Sequence, residues 1–158
     1  LIAFAVLLFA GPAGRAAAQS TTPAIEGGAG MAWFADESPI EHTVGSGALR
    51  WALSPRVSIG PEVTFMRGPG SDRDLIVTGN ITFDTRPSGI TPFIVGGGGL
   101  FRHSDRFGRE TFSSMEGAFT AGGGVRFPLK SGLYIAPEAR VGWELHTRLQ
   151  VTVGYRAP

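Results

Sequence analysis

From residue 24 onward the chain switches, with period two, between apolar and small or polar side chains. That repeat belongs to an extended strand whose two faces meet different surroundings. Gly79, Ile81 and Phe83 share one face and Thr78, Asn80 and Thr82 the other, while Leu149, Val151, Val153 and Tyr155 oppose Gln150, Thr152 and Gly154. Eight strands are predicted, over about 24–34, 43–53, 56–67, 74–84, 92–102, 117–127, 133–143 and 148–156. The connections at 54–55, 85–91 and 128–132 each contain proline and are mostly short. Those at 36–42, 68–73, 103–116 and 144–147 hold charges and all three histidines.

An even strand count with alternating short turns and longer loops suits a bacterial outer-membrane barrel, and the aromatics sharpen that expectation. With the first strand running outward, one rim should carry Trp33, Phe65, Phe101, Phe119 and Trp143, and the other Trp51, Phe83, Phe93, Phe127 and Tyr155. All ten are assigned to the apolar face of their strand and are therefore expected at the lipid interface, where rings with polar edges collect. Phe93 to Phe101 and Phe119 to Phe127 are each eight residues apart; at about 3.3 Å per residue that is roughly 26 Å, against an apolar band of about 25 Å. An internal echo links Ser58-Ile59-Gly60-Pro61-Glu62 with Tyr134-Ile135-Ala136-Pro137-Glu138. A proline inside a strand normally marks an edge or a bulge, so Pro61 and Pro137 fit mid-strand positions only where bulges accommodate them.

The length of 158 residues suggests one domain. Leu1–Ala10 is apolar throughout and ends at Gly11-Pro12, and Ala16-Ala17-Ala18 precede Gln19. Residues 1–18 read as a secretory signal peptide with an incomplete basic n-region, 19–23 as an exit segment, and 24–156 as the barrel domain. Ten apolar residues are too few for a transmembrane helix, which needs about 20. There is no cysteine, which removes disulfides, thiolate metal sites, a cysteine nucleophile and a lipid-anchored N-terminal Cys. A net charge of +1 without a basic stripe gives no nucleic-acid footprint.

The opposite parity predicts the lumen face: Glu26, Arg50, Glu62, Asp84, Arg102, Arg126, Glu138 and Arg140. An Arg facing lipid at the midplane would cost about 2–4 kcal/mol. An eight-stranded barrel has room only for its own side chains. Buried charges must be paired, so Arg50, Glu62, Arg126, Glu138 and Arg140 are expected to form an ion-paired plug.

Other chemistry is weaker. The two carboxylates recommend glycosidase action only if a sugar can enter, which a plugged lumen forbids. Gly96–Gly99 and Gly122–Gly124 match no phosphate loop and open no helix; they leave lumen space for Arg and Glu. His42, His103 and His146, with Glu41, Asp105 and Glu144 nearby, are read as solvated loop residues that bind a metal or headgroup only if the loops converge. His103-Ser104-Asp105 contains the residue types of a nucleophilic triad, but neighbours in sequence cannot form one by themselves. No catalytic residue, cofactor or metal is assigned. The loop 103–116, with Phe107, Phe112, Met115, Arg106 and Arg109, is the candidate surface for a partner or for lipopolysaccharide phosphates.

Thr91-Pro92-Phe93 leading into Gly96–Gly99, Ala121–Gly124 leading into Val125-Arg126-Phe127-Pro128, Ile135-Ala136-Pro137-Glu138 and the aromatic-ended last strand carry a family resemblance. Over about 24–156 the chain resembles the small eight-stranded outer-membrane β-barrel proteins, the group of the OmpA transmembrane domain, OmpX and OmpW-like proteins. One departure is that Arg156-Ala157-Pro158 follow the last aromatic. The resemblance implies an all-β, antiparallel up-and-down transmembrane barrel in a Gram-negative-type outer membrane. It also implies lipid and lipopolysaccharide as surroundings and the barrel-assembly machinery as a partner during insertion. The expected role is structural or interactive: membrane integrity, adhesion or partner binding through the outer loops. A narrow pore or path for small hydrophobic molecules is the alternative; a lipid A-modifying enzyme and a soluble periplasmic ligand-binding barrel are further ones.

Overall fold

A computed structural model describes residues 22–35, 40–107 and 110–157. The expected signal peptide and residues 19–21 of the exit segment lie outside them. The strands are β1 (Ala24–Phe34), β2 (Ile40–Ala52), β3 (Val57–Arg67), β4 (Arg73–Asp84), β5 (Thr91–Phe107), β6 (Glu110–Pro128), β7 (Leu133–Gly142) and β8 (His146–Tyr155). Each pairs antiparallel with the next, and β8 pairs with β1 from Ile25↔Tyr155 to Phe34↔His146. The cylinder is thereby closed, and each strand has a paired neighbour on both sides.

The expected loop 103–116 is instead a β-ladder, paired from Arg102↔Met115 to Phe107↔Glu110. The ladder continues from the barrel into a hairpin whose residues 110–117 are exposed on both faces, so no alternation marked it in the sequence. The prolines also behave differently from expectation. In β2·β3 the register is the same before and after the gap, Ala48↔Glu62 and then Trp51↔Ile59. In β6·β7 it runs Gly124↔Glu138 and then Phe127↔Ile135. Pro61 and Pro137 therefore cost ladder bonds on one side without inserting a residue, because proline has no N–H to donate.

Short turns hold the end opposite the hairpin. The Ser54 hydroxyl accepts from the backbone N–H of Val57 at 3.0 Å. The β7 approach turns through Ser131 and Gly132, with φ of 59° and 77°.

Within the barrel wall side chains alternate between outer face and lumen, whereas residues 110–117 of β6 are exposed on both faces; β5 has the parity opposite to that expected. Phe93 and Phe101 point into the lumen, with 6% and 0% exposure, whereas Ile94 and Leu100 face outward at 62% and 54%. Arg102, expected in the lumen, is exposed. Both faces of β5 are apolar, so alternation alone carries no sign. The pairing supplies it: Thr91 lies opposite Arg126 and Phe93 opposite Gly124, so the β5 face that holds Phe93 is the one that shares the lumen with Arg126.

Of the other expected interface aromatics, Trp51, Phe65, Phe83, Phe119, Phe127 and Tyr155 are exposed on the outer face. Trp33 is half-buried on that face beside a shallow apolar hollow floored by Ala29, Gly123 and Ala139. Trp143 sits in a one-turn 3₁₀ segment after β7, where its indole N–H donates to Glu116 at 3.0 Å and its ring meets Phe119 edge-on.

Candidate functional site

The inward residues form layers along the barrel axis. On β2 they run from Arg50 through Val44 to His42, and on β4 from Asn80 through Ile76 to Asp74. The middle layer is ionic and centred on Glu62. Its carboxylate accepts from Arg50 at 2.6 Å, Arg140 at 2.9 Å, Arg148 at 2.8 Å and the Asn80 amide at 3.0 Å. Arg140 also donates to Glu138 at 2.9 Å, and Arg50 to Glu26 at 3.1 Å. Gln150 bonds Glu138 as well. Three arginines thus face three carboxylates, all nearly buried, and pairing of this kind is what makes buried charge tolerable.

Arg126 does not join this network. It forks onto Asp84 at 2.7 and 2.8 Å, with its guanidinium 5.0 Å from the Phe93 ring centre and 5.1 Å from that of Tyr134. The inward turn of Phe93 gives Arg126 an aromatic face that favours a cation. Conversely, Arg148 belongs to the network although its sequence position only marked the start of a strand. Its alternation with Gln150 and Thr152 was the available signal.

Between the ionic layer and the hairpin end lies an apolar one: Ala32, Val44, Met66, Ile76 and Phe101, backed by Phe34, Ala118 and Trp143. The void lined by Glu26, Arg50, Phe93, Arg126, Glu138 and Arg140 measures about 10 Å³, room for roughly one water at most. That stretch of the lumen is filled by its side chains.

Above the apolar layer the strand ends build a rim pocket of about 260 Å³, with His42, Asp72, Asp74, His103 and Glu144 among its walls. The histidines expected in solvent are not all there: His42 is 2% and His146 4% exposed. β2 starts earlier than the alternation suggested, which draws His42 into the barrel mouth. The β3–β4 turn brings Asp72, its backbone oxygen accepting from the N–H of Gly68 at 3.1 Å, with Gly70 at φ 67°. A side chain at position 68 would collide with His42 and Asp72. His42 Nε2 lies 2.8 Å from Asp72 and 3.4 Å from Asp74, and His103 Nδ1 lies 2.7 Å from Asp74 and 3.6 Å from Asp72. The β7–β8 connection adds Glu144 with φ at 55°, a left-handed conformation that costs a residue of this kind roughly 1–2 kcal/mol. Partial burial and the neighbouring Glu116 and Asp74 carboxylates hold Glu144 above the usual carboxyl range. His146 stays apart, bonded through Nδ1 to the Trp143 carbonyl at 2.6 Å.

His103 and Ser104 project to opposite faces of β5, and Asp105 accepts from the Ser71 hydroxyl at 2.7 Å, so that tripeptide does not converge as a triad. Asp72 and Asp74 escaped the sequence reading. Asp74 shares the lumen parity of Thr78 and Asn80, but nothing local announces that a turn and two distant strands will converge on it.

A closed eight-stranded up-and-down cylinder, apolar outside and ion-paired within, is the fold of the small outer-membrane β-barrels. Solved structures of that class are among those it matches. Neisserial surface protein A matches with a TM-score of 0.76 at 9% identity, over 84% of this chain and 96% of the other. The N-terminal β-barrel domain of Pseudomonas aeruginosa OprF matches with a TM-score of 0.62 at 10% identity, over 85% and 97%. The outer membrane enzyme PagL matches with a TM-score of 0.54 at 15% identity, over 84% and 99%. No sequence family and no curated protein matches the chain.

Proposed function

We propose that the protein is an integral outer-membrane barrel with a sealed lumen, and that it acts at the cell surface through the β5–β6 hairpin. The observation that carries the reading is the outward face. Ile25, Ile81, Ile94, Leu100, Leu149, Val151 and Val153 are each between 49% and 62% exposed, while the charged network is turned inside. Water would penalise that surface at about 25 cal/mol per Å² of apolar area; hydrocarbon accepts it. Lipid and lipopolysaccharide are then its surroundings, and insertion needs the barrel-assembly machinery. The filled lumen favours a structural or interactive role over conduction.

The hairpin supports the surface role. It reaches past the apolar layer, and Phe112 and Met115 are 62% and 66% exposed on it, the kind of apolar contact a partner covers. The same fold carries an enzyme in PagL, so the fold does not choose between binding and chemistry. The divergence of His103 from Ser104 favours binding here.

Membrane fractionation with heat-modifiable gel mobility tests the location; recovery in a detergent-free periplasmic extract would refute it. A planar-bilayer recording should show no discrete conductance. Replacing 105–112 by Asn-Gly, a two-residue hairpin turn, should leave a folded barrel. Cells displaying the shortened protein should lose the adhesion shown by cells displaying the full chain, and equal adhesion would refute the hairpin's role.

A further inference from the structure

The rim pocket differs in charge balance from the rest of the interior. Inside the barrel, Glu26, Glu62, Glu138 and Asp84 each pair with an arginine. At the rim, among the described residues, Asp72 and Asp74 form ion pairs with imidazoles alone. Among the described residues Glu144 forms no Arg or Lys pair either. Three carboxylates thus border one pocket and only two imidazoles answer them. Two of these groups, His42 and Asp74, are almost wholly buried at 2% each, and Asp72 Oδ1 is a buried acceptor without a hydrogen-bond partner. Excess negative charge beside buried donor atoms calls for a cation.

We infer that His42, Asp72 and Asp74 form a binding site for a divalent first-row transition-metal ion of the zinc type. His42 Nε2 and one oxygen from each aspartate lie within 4.8 Å of one another, and the two imidazole–carboxylate separations are 2.8 and 3.4 Å. Metal bonds of about 2.0–2.1 Å in a tetrahedron place neighbouring ligands about 3.3 Å apart, so both imidazole–carboxylate separations already lie within about half an ångström of that spacing. An imidazole with two carboxylates suits zinc and its neighbours better than calcium or magnesium, which take oxygen ligands alone. Glu144 and His103 line the same pocket.

His103 has a positioning role in this site. Its Nδ1 stands 2.7 Å from Asp74 Oδ1 and 3.6 Å from Asp72 Oδ1, the carboxylate oxygens turned away from His42. A group that orients a ligating carboxylate in this way typically changes metal affinity 10–100-fold when removed. Gly68 matters for the same site, because a Cβ there would occupy the space of His42 Nε2 and Asp72 Oδ2. The site rests on the rim geometry and is independent of whether the hairpin engages a partner.

The test uses the full chain, refolded in detergent without a polyhistidine tag. Zinc titrated by calorimetry should saturate at one ion per chain. Cobalt(II) should give the strong visible absorption of a four-coordinate ion, displaced by zinc. His42→Gln and Asp74→Asn should each abolish saturation. His103→Ala should weaken it about 10–100-fold while keeping the shape of the cobalt spectrum, and His103→Gln, which restores a donor, should recover part of the loss. Absence of saturable binding in the wild-type protein, or equal affinity in the His42 and Asp74 variants, overturns the assignment. If either variant fails to fold, as read by heat-modifiable mobility, the wild-type cobalt spectrum decides alone: the weak band of a six-coordinate aqua ion overturns it.

Discussion

Glu62→Gln is the sharpest probe of the lumen. The substitution keeps the shape of the side chain and removes its charge. Glu62 is paired with Arg50, Arg140 and Arg148. Arg50 keeps Glu26 and Arg140 keeps Glu138, but Arg148 forms its sole carboxylate pair among the described residues with Glu62. The variant therefore leaves three buried guanidinium groups facing two carboxylates, and the new amide presents an NH2 group to donors. Removing one partner from a buried pair costs about 3–5 kcal/mol. We expect a loss of that size, because Arg148 retains only the Thr64 hydroxyl. The double variant Glu62→Gln/Arg148→Gln removes the surplus charge and should regain about 1–3 kcal/mol relative to the single one. The assay is denaturant unfolding from detergent micelles, followed by tryptophan fluorescence and by gel mobility. A single variant within about 1 kcal/mol of wild type, or a double variant less stable than the single, would show that the network is not what holds the lumen closed.

Three further perturbations probe the barrel wall and its lumen. Phe101→Ala removes a fully buried ring and should cost about 3–5 kcal/mol, whereas Phe83→Ala on the outer face should cost far less in detergent; similar unfolding midpoints for the two would refute the parity of β5. Gly97→Ala would drive a methyl into Asn80 and the Gly79 carbonyl, while the same change at Gly27 meets nothing within 4 Å; the first should reduce folding yield and the second should be neutral or stabilising by about 0.5–1 kcal/mol, read from the folded fraction on gels. Tyr134→Phe deletes the 2.7 Å bond to Glu26 and should destabilise by about 1.5–3 kcal/mol, the range for a hydrogen bond to a charged group; an unchanged midpoint would mean that water replaces it.

Much of the architecture could be read along the chain. Strand number, the prolines in the short turns, and the inward parity of every strand but β5 follow from period-two alternation, because an extended backbone sends consecutive side chains to opposite faces whatever its neighbours do. The same parity put Glu62 and Glu138 on the lumen face. Three matters were settled only when the sheet closed. Phe93 and Phe101 turned inward because β5 is apolar on both faces, and register against Gly124 chose between them. Arg148 and Arg140 met at Glu62, while Arg126 went to Asp84, since partner choice depends on strand tilt and side-chain reach rather than on sequence separation. The rim grouping of His42, Asp72, Asp74 and His103 draws on β2, the β3–β4 turn, β4 and β5, so no local pattern encodes it. Alternation is a property of a single strand; convergence across a lumen is a property of the closed cylinder.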